Sequence, residues 1–157
     1  MSFSLEVVYP SPNNGKRIAD FLSEHFWTEH SLSGDGSPPI EWGRASSHIN
    51  HYLFNGAVFN VLDGVKIIGS IAAAPNDYWW SAEQYIGDGW FYVLPEYRNT
   101  KDETPPSHLL IDAVIDYAKE QEKPLILGIF NLGGVERAKK LFEKKGFHQI
   151  GGMYYRK

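Results

Sequence analysis

The apolar residues of this chain recur at every second position in some stretches and at helical spacing in others, which predicts a mixture of strands and helices. The first stretch, 3–9, alternates apolar and polar residues and predicts a half-buried strand. Its predicted buried side carries Phe3, Leu5, Val7 and Tyr9. Helical spacing then predicts a first helix that ends near Thr28 and a second helix over about 41–53.

A β-hairpin is predicted after these helices. Asp63-Gly64 is a strong turn signal, and it separates two strand-like segments, 57–62 and 65–73. Pro75-Asn76-Asp77 also has turn chemistry, so the second strand of the hairpin is expected to have ended before it.

A long strand over 84–94 forms the centre of the pattern. It is rich in aromatic and β-branched residues, and Gly87 and Gly89 predict a bulge or a close backbone approach within it. Pro95 ends the strand, because proline cannot donate to a ladder. An amphipathic helix is predicted to start near Thr104, whose hydroxyl would be its N-cap.

The carboxyl half continues with the same alternation of elements. The continuous apolar run 125–130 predicts a strand buried on both faces. It follows a helix, so a right-handed crossover would place it parallel to the strand before that helix. A last helix is predicted from Val135 to its stop at Gly146, and a last strand over 147–155.

Composition and charge narrow the function classes. A chain of 157 residues with a net charge of −4 has no basic footprint for nucleic acid. It has no cysteine, which excludes disulfides, thiolate metal sites and a cysteine nucleophile. There is no signal-peptide pattern at Met1, and no apolar run approaches the ~20 residues that span a bilayer. A cytoplasmic protein without a membrane partner is expected.

Three segments carry a resemblance to a known family. VLPEYR (93–98) after the long strand, LILGIFN (125–131) after the next helix, and ERAKKLFEKKGF (136–147) together resemble the GCN5-related N-acetyltransferases (GNATs). The order of elements agrees over nearly the whole chain. The resemblance implies one acyl-CoA N-acyltransferase domain over residues 1–157. It also implies an α/β (α+β) fold, with a mixed, mostly antiparallel sheet of six to seven strands and helices on both faces.

The same resemblance implies a site for acetyl-CoA. In this family the central strand parts from the next strand, and its exposed backbone groups bind the pantetheine arm much as a sheet edge binds an added strand. The corresponding residues here are Phe91, Tyr92, Val93 and Leu94. Asn131, which follows the next strand, is a further candidate contact, although it also suits a simple turn.

The pyrophosphate loop of the family is altered in this chain. Arg98 is in place, but Lys101 and Glu103 occupy the glycine positions of [RQ]-x-x-G-x-[GA], and Asp102 adds a second carboxylate. Glycines matter in such a loop because backbone N–H groups must approach the phosphates closely. Either Arg98, Lys101 and the backbone around Ser107 and His108 bind the diphosphate differently, or the loop no longer binds it.

The proton-transfer residues are also altered or unassigned. Many relatives place a tyrosine that protonates the departing thiolate where this chain has Phe142. Another tyrosine or solvent must then serve, and the candidates are Tyr92, Tyr97 and Tyr154. Asp88 and Glu83, on or beside the central strand, are the candidate bases for deprotonating the substrate ammonium. Asp88 is the stronger of the two, because partial burial would raise its pKa.

Two further groups of residues allow alternative interpretations. Aromatic residues could wall an acceptor pocket or simply cover the sheet; they are Trp42, Tyr78, Trp79, Trp80 and Trp90. His48 and His51 share a helix face at i, i+3, but without cysteine or acid neighbours at ligand spacing they do not predict a metal site.

These observations favour transfer of an acetyl group from acetyl-CoA to a primary amine by direct attack. A backbone N–H near Val93 or Leu94 would polarise the thioester carbonyl. The alternative is a catalytically inactive GNAT-fold binding or accessory protein, and a remoter one is a user of another acyl donor or of aminoacyl-tRNA. The predicted acceptor is a small-molecule or peptide amine, and the protein is expected to be a monomer or homodimer.

Overall fold

The structure, a computed structural model, describes residues 2–32, 38–98, 104–128, 135–154 and 156, without the side chains of residues 30–32. Within them a five-stranded sheet has the order β1-β2-β3-β4-β5. All neighbouring strands are antiparallel except β4 and β5, which are parallel as predicted. The strands are β1 (Ser4–Val8), β2 (Ala57–Asp63), β3 (Lys66–Asp77), β4 (Gln84–Val93) and β5 (Leu125–Ile126).

The helices come in two groups along the chain. The amino-terminal group is α1 (Pro12–Phe21), a π-helical segment (Leu22–Phe26), α2 (Trp27–Leu32) and α3 (Trp42–Asn55). The carboxyl-terminal group is α4 (Pro106–Glu120) and α5 (Val135–Lys144). None of the helices in the described ranges is long and apolar enough to cross a membrane.

The two groups cover opposite faces of the sheet. On one face the rings of Phe21 and Tyr92 pack edge-to-face with centroids 6.1 Å apart, which places α1 against β4. On the other face Phe91 of β4 packs against Phe142 of α5, with centroids 6.4 Å apart. Because successive strand residues point to opposite faces, these neighbouring residues fix the two layers. The predicted mixed, mostly antiparallel α+β fold with helices on both faces is confirmed.

The sheet is smaller than predicted at its carboxyl-terminal side. Residues 147–154 have no strand structure, so the predicted last strand is wrong over this range. β5 pairs with β4 only at Leu125 and Ile126, whereas a strand over 125–130 was expected. Residues 127 and 128 have left the ladder, and residues 129–134 lie outside the described residues.

The first strand is present, but its buried face is the opposite of the predicted one. Val8 is 5% exposed, whereas Leu5 and Val7 are 42% and 48% exposed. On the buried side, the Glu6 carboxylate accepts hydrogen bonds from Arg17 of α1 at 3.1 Å and from Asn60 of β2 at 2.9 Å. This polar contact directs the even-numbered face of β1 towards α1.

Two predicted boundaries also shift. β3 continues through the Pro75-Asn76-Asp77 segment, and Pro75 lies opposite Ile86 of β4. Proline is tolerated there because the pairing of β2 with β3 extends only as far as Ala57, which lies opposite Ala73. Pro75 lies beyond this pair, so no described strand needs a backbone donor from it on the β2 side. At α4, Pro105 rather than Thr104 occupies the N-cap position, and no side chain caps the helix.

Candidate active site

The parting of β4 from β5 creates the main irregularity of the sheet. Their pairing is limited to Ile86↔Leu125 and Gly87↔Ile126. At the next residue, the Asp88 carboxylate accepts a hydrogen bond from the Gly128 N–H at 3.2 Å. Burial raises the pKa of Asp88, while hydrogen bonds from backbone N–H groups act in the opposite direction. Asp88 therefore links the two strands at the point from which they separate, which we call the split.

The predicted bulge lies beside the start of the split. Ala72 pairs with Trp90 and Ala73 with Asp88, so Gly89 is the extra residue on β4. A Cβ atom on Gly89 would lie 2.6 Å from the ring of Tyr52 on α3. Glycine is therefore required here because an aromatic ring covers the bulge, and the predicted bulge is confirmed.

The backbone of β4 presents only alternate residues to the split. The Leu94 N–H donates to the Ile68 carbonyl of β3 at 2.9 Å, so the expectation that it binds or polarises the thioester is not supported. Because backbone groups alternate along an antiparallel ladder, Tyr92 also faces β3. The backbone N–H and C=O groups of Phe91 and Val93 point the opposite way, towards the side on which β5 no longer pairs with β4.

Arg98 lies at the far end of the split but does not project into an open anion site. Its Nε–H donates to the Val93 carbonyl at 2.8 Å, and its two terminal nitrogens donate to the Glu29 carboxylate at 2.9 and 2.8 Å. Arg98 and Glu29 are 23% and 29% exposed. The guanidinium thus joins α2 to the end of β4, in place of the predicted contact with a diphosphate.

Tyr92 belongs to the same cluster. Its hydroxyl donates to the Glu29 carboxylate at 2.5 Å, and the Arg98 guanidinium lies over its ring, 5.1 Å from the centroid. Burial and the neighbouring Glu29 raise the pKa of the Tyr92 hydroxyl well above its usual value. The hydroxyl of Tyr92, a candidate for protonating the thiolate, is therefore already hydrogen-bonded to Glu29, on the face of the sheet that α1 and α2 cover.

The amino terminus of α4 offers few backbone donors. The His108 and Leu109 N–H groups both donate to the Pro105 carbonyl, at 3.0 and 3.3 Å, and Pro106 has no N–H. Among the described backbone groups, the Ser107 N–H is the remaining donor of the first turn. Burial lowers the pKa of the His108 imidazole, and the nearby cations Lys145 and Lys144 lower it further. Lys101 lies outside the described residues.

A cavity of about 480 Å³ lies on the α1–α3 side of the bulge. Most of its described lining is apolar or aromatic, and it reaches β4 at Gly89 and Trp90. The other apolar lining residues are Leu22, Phe26, Trp27, Pro38, Pro39, Ile40, Ala45 and Ile49. Its polar lining residues are Glu41, Arg44 and His48.

His48 places a ring nitrogen beside the bulge. Its Nε2 lies 3.2 Å from the Gly89 carbonyl oxygen, and Tyr52, one helical turn further along α3, donates from its hydroxyl to the Asp88 carbonyl at 3.3 Å. Two side chains of α3 thus contact successive carbonyl groups of β4. The sequence suggested His48 only in connection with His51, whose ring nitrogen instead lies 3.3 Å from the Asn55 amide.

The remaining predicted site residues are spread over the molecule. Phe142 packs against Phe91, so no hydroxyl is available at this position beside the split. Glu83 is exposed, and six residues at about 3.3 Å each separate it from Gly89 by roughly 20 Å. Asn131 lies outside the described residues.

Of the aromatic residues that were candidates for an acceptor pocket, some lie at the cavity and others do not. Trp90 lines the cavity, and its indole N–H donates to the buried Ser70 hydroxyl at 2.8 Å. Trp42 packs against the lining residue Trp27, with centroids 6.3 Å apart. Trp79 and Trp80, in the turn between β3 and β4, are 90% and 66% exposed. Like the neighbouring Tyr78, they do not line this cavity.

Sequence comparison identifies no relative, because no protein-family profile and no curated protein matches the chain. Solved structures do match its fold. The aminoglycoside acetyltransferase meta-AAC0020 from an uncultured soil metagenomic sample, in complex with trehalose, gives a TM-score of 0.67 at 14% identity, covering 98% of this chain and 95% of that one.

Two further structures agree with this match over the full length of the chain. AAC(6')-Iy, in complex with the bisubstrate analog CoA-S-monomethyl-acetylneamine, gives a TM-score of 0.62 at 16% identity, covering 100% of this chain and 99% of that one. A GNAT family acetyltransferase from Staphylococcus aureus gives 0.61 at 10% identity, with the same coverage. The chain therefore has the fold of the GCN5-related N-acetyltransferases, as its sequence resemblance predicted.

Proposed function

We propose that this protein transfers an acetyl group from acetyl-CoA to a primary amine. The observation that carries the proposal is the junction of three features at one place on β4. The strand parts from β5 after Gly87, it bulges at Gly89, and the bulge borders an apolar cavity of about 480 Å³. A thioester arm in the split and an amine in the cavity would meet at this bulge.

The residues that would hold acetyl-CoA are fewer than the sequence predicted. The N–H and C=O of Phe91 and the N–H of Val93 face the split and can pair with the amides of a pantetheine arm. Ser107 supplies a backbone donor at the amino terminus of α4, where the helix dipole favours an anion. His108, Lys101 and Asn131 stay candidate contacts to the cofactor.

The proposed reaction balances without a covalent enzyme intermediate. A base takes one proton from the substrate ammonium, and the nitrogen lone pair attacks the thioester carbon. The new C–N bond forms as the C–S bond breaks, and the thiolate leaves as CoA. A second proton leaves the amide nitrogen and neutralises the thiolate. The protein contributes orientation and deprotonation, since a thiolate is a good leaving group.

We assign the proton acceptor to His48 rather than Asp88. The carbonyl oxygen of Gly89 can only accept, so the Nε2 of His48 carries the proton in their 3.2 Å contact. The lone pair of Nδ1 is then available for a substrate proton. Asp88 instead accepts from the Gly128 N–H and is not among the residues that line the cavity. We propose that Asp88 positions β4 against β5.

A non-catalytic binding role is the second candidate, and a specific contact favours it. Arg98, the residue that best matches the pyrophosphate loop of the family, is paired with Glu29 inside the structure. This pairing, and the small number of backbone N–H donors at the start of α4, would lower the affinity for the phosphates of CoA. Such a protein would retain the fold without using a thioester.

Thermal unfolding with acetyl-CoA separates the two candidates. A ligand at a hundred times its dissociation constant stabilises by roughly 2.7 kcal/mol, or several degrees for a domain of this size. We expect acetyl-CoA to raise the melting temperature and an amine to trigger release of free thiol. No stabilisation at millimolar acetyl-CoA, with no thiol release from any amine, would overturn the acetyltransferase proposal.

A further inference from the structure

We propose that the cavity binds a small monoamine with an aromatic or other apolar body. This inference rests on the proposed acetyl transfer, because it names the acceptor for that reaction. The cavity, at about 480 Å³, falls within the range of about 300–1,000 Å³ that is typical of small-molecule sites. Gly89 is among its lining residues, so a ligand in the cavity can contact the bulge.

The walls of the cavity match an apolar body. Phe26 and Trp27 pack edge-to-face with centroids 6.2 Å apart on one side, and Trp90 lies at the β4 side. Hydroxyl groups buried against such walls would lose water without gaining hydrogen bonds, which is costly. An aromatic ring loses nothing comparable and can pack edge-to-face with the indole and phenyl rings.

The backbone of the first helical region is shaped around this cavity. A π-helical turn, Leu22–Phe26, interrupts the helices between α1 and α2, and both of its terminal residues line the cavity. The Thr28 hydroxyl donates to the Ser23 carbonyl, five residues earlier, at 3.1 Å. π-Turns within helices frequently occur at functional sites. Leu22 and Phe26, four residues apart, lie on the same helix face and line the cavity together.

The charges around the cavity favour one ammonium group rather than several. Among the described lining residues the only carboxylate is that of Glu41, and Arg44 lies 3.1 Å from it. The two side chains are 74% and 87% exposed, so this pair is at the rim. A polycation would need several carboxylates for its ammonium groups. Such carboxylates are absent from the described lining.

A polar position for the amine lies at the bulge. The Gly89 carbonyl has a second lone pair that can accept an N–H from the substrate, and one water molecule would carry the substrate proton from there to the Nδ1 atom of His48. An amine held there would have its apolar body against Phe26 and Trp90. The polar contacts at the bulge and the apolar walls therefore specify both the reacting group and the body of the acceptor.

Thiol release from acetyl-CoA with three amines tests this assignment. The probes are 2-phenylethylamine, ethanolamine and the polycationic aminoglycoside kanamycin. We expect kcat/KM for 2-phenylethylamine to exceed that for ethanolamine by about tenfold or more, the gain that burial of a phenyl ring provides. A value for kanamycin equal to or above that for 2-phenylethylamine would overturn the inference.

A variant that fills the cavity supplies the structural test. Ala45 lines the cavity from α3, and Ala45→Phe should lower kcat/KM for 2-phenylethylamine by about tenfold or more while acetyl-CoA still raises the melting temperature. Ser46→Phe is the matched control, because Ser46 is the next residue of α3, is exposed and does not line the cavity. Equal effects of the two substitutions would contradict the proposal.

Calorimetric titration of 2-phenylethylamine separates failure of this inference from failure of the proposed function. Binding that Ala45→Phe weakens and Ser46→Phe leaves intact supports the cavity assignment even if acetyl-CoA has no effect on the protein. Conversely, acetyl-CoA-dependent thiol release with ethanolamine or kanamycin but no binding of 2-phenylethylamine would keep the acetyltransferase and overturn the apolar acceptor.

Discussion

The Nε2 atom of His48 lies 3.2 Å from the carbonyl oxygen of Gly89, although the two residues are 41 positions apart in the sequence. The contact joins α3 to the bulge of β4, where the split and the cavity meet. Gly89 can occupy this place only without a side chain, because a Cβ atom would lie 2.6 Å from the Tyr52 ring. The geometry thus brings a titratable ring nitrogen to the one irregular residue of the central strand.

His48→Gln should lower kcat for amine acetylation by about a hundredfold, the lower range for the loss of a general base. A glutamine amide can still donate to the Gly89 carbonyl, so the fold and the stabilisation by acetyl-CoA should persist. The measurement is kcat for thiol release across pH, because removal of a proton acceptor should change both the rate and its pH dependence.

His51→Gln is the control for this experiment. His51 lies on the same helix, but its ring contacts Asn55 rather than β4. We expect wild-type rates and a wild-type pH profile for it. If His48→Gln also retains both, His48 is not the proton acceptor.

Asp88→Asn tests the other candidate base. Burial raises the pKa of Asp88, so its ionised form is disfavoured in the folded protein. The contribution of Asp88 to the free energy of unfolding is therefore greatest below the pKa of the unfolded state. It declines as the pH rises through the higher pKa of the folded state. An asparagine carbonyl can still accept from the Gly128 N–H without the buried charge.

We therefore expect Asp88→Asn to be at least as stable as the wild type at neutral pH, with kcat reduced less than about tenfold. Denaturant unfolding and thiol release measure the two quantities. A larger loss of kcat with unchanged acetyl-CoA binding would instead assign the base role to Asp88, as the sequence first suggested.

The sequence predicted those features of the site that depend on neighbouring residues. Glycine in a strand indicated the bulge at Gly89, and Asp63-Gly64 indicated the hairpin, in which Gly64 has a φ of 63°. The strand–helix–strand order indicated that β5 is parallel to β4. Each of these signals is local, and each arises from a backbone requirement that few residue types meet.

The sequence could not predict contacts that join distant segments. The Arg98–Glu29 ion pair spans 69 positions, and nothing near Arg98 shows that a carboxylate on another helix will pair with it. The prediction of which face of β1 is buried was wrong for a similar reason. Period-two alternation shows that a strand has two faces, but the polar contacts of Glu6 with Arg17 and Asn60 decide which one is covered.

Removal of Arg98 should destabilise the protein, because its guanidinium joins α2 to the end of β4. Arg98→Ala removes the bidentate ion pair with Glu29, at a site where both side chains are less than a third exposed. We expect a loss of about 1–3 kcal/mol in the free energy of unfolding, below the range for a fully buried pair. Denaturant unfolding provides the value.

Lys16→Ala is the matched comparison. The Lys16–Asp20 pair has a similar distance, 2.8 Å, but its side chains are 76% and 52% exposed. Its removal should leave the free energy of unfolding unchanged within the error of the measurement. Equal effects of the two substitutions would show that the Arg98 pair contributes no more than a surface contact.

The Tyr92 hydroxyl should make stability depend on alkaline pH. Its folded pKa lies above the ordinary value of 10.0, first because of burial and then because it donates to Glu29. The neutral hydroxyl therefore makes its full contribution to the free energy of unfolding at pH values below the ordinary tyrosine pKa. This contribution falls as the pH rises above that pKa. Tyr92→Phe removes both the hydrogen bond and this dependence.

The test compares the free energies of unfolding of wild type and Tyr92→Phe across pH. Their difference should be about 1.5–3 kcal/mol and constant below the ordinary tyrosine pKa, as expected for a hydrogen bond to a charged group, and should shrink above it. Other tyrosines titrate in both proteins and cancel in the difference. Tyr154→Phe, at a 99% exposed residue, is the control and should show no such trend. A difference that stays constant at alkaline pH would mean that the Tyr92 hydroxyl is not held neutral by Glu29.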